Sequence, residues 1–218
     1  MPITSRNAPR PASARLVSHV TALLREKKSL PSAPAELQLE KMSHSEAHPV
    51  YYVPLDALAE GRLLQAATQT SWRYLLVQDD RAIAEAELSA ATKGATKGRR
   101  RRSRAKPLAF LGLSHGPFTG ATVDALHAAE RLPQVAAADY ELRLLKIPAV
   151  YLAALWLHGD GDDILIPMGN PPGGLKKNKP YTEKQVIRAL APMAEQTREF
   201  HAAYEQQAKQ TRRRKKKS

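Results

Sequence analysis

Five residues carry the sharpest chemical pattern in this chain: Gly112-Leu113-Ser114-His115-Gly116. A serine with glycine two positions away on either side can occupy a tight strand-to-helix turn that projects its hydroxyl. The flanks suit that turn. Leu108 to Leu113 reads as a strand, and Thr119 can cap a helix running to about Leu132. A nucleophilic serine also needs a base and a group that orients the base. In chain order, Asp139 or Asp160 can serve as the acid, and His158 or His201 as the base.

Over those five residues the pattern resembles the nucleophile elbow of the α/β-hydrolases. The resemblance implies a small serine hydrolase with Ser114 as nucleophile. The chain also departs from that family. Pro117, Phe118 and Thr119 intervene before the capped helix, no HGGG-type oxyanion segment precedes the serine, and the parallel βα repeats are missing. The competing reading is a turn whose glycines serve backbone geometry.

Other chemistry-bearing groups are weaker. His158-Gly-Asp160-Gly-Asp162-Asp163 clusters carboxylates, but it lacks the spacing and terminal glutamate of an EF-hand and reads as an acidic turn. The Gly- and Lys-bearing loop from Asn170 to Pro180 does not match a P-loop, and neither G-x-G-x-x-G nor H-E-x-x-H occurs. There is no cysteine, which removes disulfides, thiolate zinc ligands and thiol catalysis. No cofactor or metal is expected. Trp72, Tyr74, Tyr140, Tyr151 and Trp156 lie in apolar stretches and read as core residues before base-stacking ones. Glu141 and Arg143 share a strand face.

Charge points to a second kind of function. Residues 93–106 hold eight basic side chains and 208–218 hold seven, with no acid in either. Those two runs supply +15 and the first 28 residues +5, so the rest of a chain of net charge +13 is acidic, at −7. Flexible cationic segments attract phosphate polymers by counterion release without reading sequence. Candidate contacts are Arg99, Arg100, Arg101, Arg102, Arg104, Arg212, Arg213, Arg214, Lys215, Lys216 and Lys217. The leading expectation is a non-enzymatic binding protein that contacts nucleic acid or another polyanion. The serine hydrolase is the first alternative. The second is an adaptor or inhibitor using residues 147–157 or the N-terminal helix as an apolar surface.

These groups must be positioned by elements legible from periodicity. Residues 1–13 read as a disordered lead and 14–28 as a basic amphipathic helix with Leu16, Val17, Val20, Leu23 and Leu24 on its stripe. Residues 29–49 read as an extended linker, and 50–207 as a single α+β domain. Pro54 opens a helix with Leu55, Leu58, Leu63 and Leu64, and 72–88 forms a hairpin. A flexible loop spans 91–106. A second hairpin turns at 158–163, with a helix at 149–157 as its competitor, and Thr182 starts the last helix. The tail from 208 reads as disordered. The expected fold is one mostly antiparallel sheet of four or five strands with helices packed on one face. The most apolar stretch, 147–157, has 11 residues, short of the ~20 that a span requires. The expected location is the cytoplasm, with an organellar transit peptide as the alternative reading of the Arg- and Ser-bearing start.

Overall fold

The computed structural model describes residues 3–26, 38–90 and 108–215. In chain order the elements are β1 (Ile3–Ser5), α1 (Pro11–Arg25), β2 (Ser43–His44), β3 (His48–Tyr52), α2 (Leu55–Ala59), β4 (Thr68–Gln78) and β5 (Arg81–Ser89). After these come β6 (Phe110–Ser114), α3 (Pro117–Glu130), α4 (Pro133–Ala137), β7 (Tyr140–Ile147), β8 (Leu152–His158), β9 (Asp163–Pro167) and α5 (Glu183–Lys215).

The strands form one mixed sheet in the order β6-β5-β4-β3-β7-β8-β9. Off that path, β1 pairs with β7 and β2 with β4. Two pairings are parallel, β1 with β7 and β3 with β7. The described residues therefore make nine strands, where four or five were expected. The extra ones were illegible because β1 and β2 are three and two residues long and largely polar. They exist through the partners they meet, not through their own propensity.

Helices cover both faces, which corrects the expectation of one. Alternation along β7 shows why. Tyr140, Leu142 and Leu144 join a core with α3 and α4, while Leu145 and Ile147 join a core with α2 and α5. A third core sets Leu16, Val20 and Leu24 of α1 against Trp72, Tyr74 and Leu76 of β4. A strand buried on both faces needs a covering layer on each.

Local chemistry accounts for the turns. β4 and β5 join through Asp79 and Asp80, both at positive φ (49° and 59°), the conformation of a two-residue type I′ hairpin. α2 is shorter than Leu63 and Leu64 suggested, since Gly61 at φ 72° ends the turn and these leucines pack from a loop. β8 and β9 form an antiparallel hairpin. The lead is structured from Ile3, because β7 offers it an edge, and α1 starts at Pro11. The C-terminal tail, expected to be disordered from 208, continues as α5 to Lys215. The basic loop at 91–106 lies outside the described residues. Among the described residues, no helix is long and apolar enough to cross a membrane.

Candidate functional site

Ser114 ends β6, and Gly116 then takes φ 125°, a backbone state that L residues rarely adopt. Pro117 occupies the first turn of α3, so the helix starts two residues before Thr119. The turn is thus strand, Ser-His-Gly, helix. Ser114 itself has no positive φ. Its hydroxyl donates to Glu85 Oε1 at 3.1 Å, so its partner is a carboxylate and not an imidazole.

Glu85 belongs to a polar layer beneath α3. Its Oε2 faces Arg73 Nη2 at 2.5 Å, and Arg73 is completely buried. Arg73 Nη2 also donates to Thr122 Oγ1 at 2.7 Å, and the guanidinium lies 5.5 Å from the Phe118 ring centroid. Burial pushes the Arg73 group down from its ordinary range, against the opposing pull of Glu85 and Glu87. Glu87 accepts from Lys146 Nζ at 2.8 Å and from Ser71. This layer ties α3 to the sheet.

The other proposed triad members are elsewhere. His158 Nδ1 meets Asp163 Oδ1 at 2.7 Å, and the same oxygen accepts from Trp156 Nε1 at 2.6 Å. His158 and Ser114 sit five strand spacings apart, about 24 Å at 4.8 Å each, on opposite sheet faces. Asp139 and Asp160 are exposed. His201 is exposed on α5. The fold does not bring Ser114 together with His158, because β6 and β8 lie toward opposite ends of the sheet. Among the described residues no group of three His, Cys, Asp or Glu can hold a metal ion.

Arg143 makes a two-pronged contact with Glu141 at 3.0 and 3.1 Å and lies over the Trp156 and Tyr51 rings at 4.6 and 5.1 Å. Burial works to raise the Glu141 carboxyl, but Arg143, with Arg6 and His158, holds it below its usual range. The glycine loop serves packing. A Cβ on Gly173 would come within 2.5 Å of the Ala189 carbonyl oxygen of α5. Four of the five aromatics read as core are buried, but Tyr151 is 87% exposed at φ 55°. Of the two apolar surfaces, α1 turns Leu16, Val20 and Leu24 into one core and leaves Val17 exposed, and 147–157 lies mostly in two others.

The cationic candidates divide. Arg99, Arg100, Arg101, Arg102 and Arg104 lie outside the described residues, as do Lys216 and Lys217. Arg212, Arg213, Arg214 and Lys215 belong to α5. Every residue from Arg198 to Ala208 is exposed, so the helix has left the body before it reaches them.

One arrangement had no sequence signal. Ser13 Oγ lies 2.6 Å from His44 Nε2, and His44 Nδ1 lies 2.8 Å from the Ser45 carbonyl oxygen. Ser13 belongs to α1 and His44 to β2, and 31 residues separate them. Both border a pocket of about 200 Å³. No family model, curated protein or solved structure matches this chain.

Proposed function

We propose that this protein binds nucleic acid or another polyanion, without sequence specificity, through its cationic segments. One observation carries the reading: α5 holds Arg212, Arg213, Arg214 and Lys215 on a helix whose every residue from Arg198 to Ala208 is exposed. From His201, which still borders the body near Pro148 and Tyr151, to the cluster at Arg212–Lys215 an α-helix advances about 16–21 Å. A polyanion bound that far out is screened from much of the repulsion of the mildly acidic body, since the Debye length is about 8 Å in physiological salt. Phosphate contacts of this kind attract and position, and carry no base readout.

The test is fluorescence anisotropy of a labelled 20-mer duplex and of labelled heparin, titrated at 50–200 mM NaCl. The full chain should bind both with a steep salt dependence. Deleting 208–218 removes seven basic residues. If all seven meet phosphate, the slope of log K against log salt should flatten by about 6. Binding that survives both this deletion and that of 93–106 undiminished overturns the reading.

A further inference from the structure

We propose that Ser13 and His44 form a nucleophile–base dyad that hydrolyses small acyl esters carrying an anionic group. This goes beyond polyanion binding and does not depend on it. The hydrogen-bond pattern fixes the proton positions. The Ser45 carbonyl can only accept, so His44 Nδ1 carries a proton and donates it at 2.8 Å. In the neutral ring Nε2 is then the acceptor, and the Ser13 hydroxyl donates to it at 2.6 Å. The carbonyl thus does for His44 what an acid does in a triad: it sets the tautomer and the ring orientation. The Tyr74 ring packs edge-on against the imidazole, with centroids 5.5 Å apart at 84°, and holds its plane.

The surroundings suit acyl transfer. Ser13 is the third residue of α1, in the first turn of a 15-residue helix, where the macrodipole favours developing negative charge. The pocket beside the dyad is about 200 Å³, smaller than a site for a drug-sized ligand (roughly 300 Å³ and above), so it takes a short acyl chain. Among the described residues, Arg10 and Arg6, the latter also near Glu141, line it against one acid, Glu46. A carboxylate or phosphate on the substrate complements that surplus of positive charge.

The chemistry balances without a further reactant. Ser13 Oγ bonds to the acyl carbon as its proton passes to His44 Nε2. The ester C–O bond then breaks, and the proton on Nε2 goes to the departing alkoxide, releasing an alcohol and leaving acyl-Ser13. A water gives its proton to Nε2 and adds its oxygen to the acyl carbon. The bond to Ser13 breaks, Oγ recovers the proton, and a carboxylic acid leaves.

Two readouts test this on the full chain. A fluorophosphonate probe should label wild type at Ser13, located by peptide mass spectrometry. Ser13→Ala and His44→Gln should each lose labelling and at least about a hundredfold of the hydrolysis rate of mono-4-nitrophenyl succinate. Ser114→Ala should keep both. The second readout uses the absence of cysteine in the chain. Ser13→Cys should react with iodoacetamide about tenfold or more faster than Ser114→Cys, although Ser114 is the more exposed position, and His44→Gln should remove the excess. An unlabelled wild type overturns the proposal, as does labelling that persists in Ser13→Ala. A Ser13→Cys thiol no faster than its Ser114→Cys counterpart overturns it too. The hydrogen bond would then be only a tie between α1 and β2.

Discussion

His48 should make the stability of this protein fall on mild acidification. It sits on β3 in register with Arg73 of β4, is 6% exposed, and its Nδ1 has no hydrogen-bond partner among the described residues. Burial first, then the charge of Arg73, lowers its pKa from 6.5 to about 4. Between those values the unfolded chain binds a proton that the folded chain refuses. Stability from this group is therefore complete above pH 6.5 and is lost progressively as pH falls toward 4. The gap of about 2.5 units, at 1.36 kcal/mol each, makes the loss about 3 kcal/mol. That is a large part of the roughly 5–15 kcal/mol that holds a domain folded. Urea unfolding followed by the fluorescence of buried Trp72 and Trp156 measures it at pH 7.5, 6, 5 and 4. His48→Gln and His48→Leu cannot titrate at this position, and they keep every carboxylate that also titrates in this range. The stability difference between wild type and either variant should be constant above pH 7 and should shift against wild type by about 3 kcal/mol by pH 4. A difference that stays flat to within about 0.5 kcal/mol across that range would refute the reasoning, because a neutral buried imidazole cannot be pH-silent there.

Two further changes test the packing that positions the sites. Arg73→Met leaves Glu85 without its buried partner and Thr122 without its donor, and should cost about 3–5 kcal/mol; adding Glu85→Gln should recover part of it in a double-mutant cycle. Gly173→Ala meets both a φ of 66° and the Ala189 carbonyl, and should cost about 2–4 kcal/mol by chemical denaturation, whereas Gly161→Ala, with open space around it, should cost little.

Several features were legible in the residues themselves. The β4–β5 hairpin was legible over residues 72–88, and helical spacing marked the stripe of α1. The separation of basic runs from an acidic body is a property of composition alone. What the residues did not disclose was long-range pairing. β1 and β2 are too short and polar to announce themselves. Glu141 and Arg143 could be placed on one face of β7, but not the fact that α3 and α5 cover opposite faces of the sheet it belongs to.

The candidate sites divide along the same line. The local pattern around Ser114 does identify a strand-to-helix turn built on Gly116, and local geometry is what five adjacent residues can determine. Whether a base stands beside that serine depends on strand order, which put His158 toward the far end of the sheet. Conversely, Ser13 and His44 fall in stretches that read as disordered lead and linker, yet the fold sets them 2.6 Å apart. Residue types and short spacings follow from the chain by itself. Contact across 31 residues depends on which segments the sheet pairs and which helix covers them, and only the tertiary structure decided that.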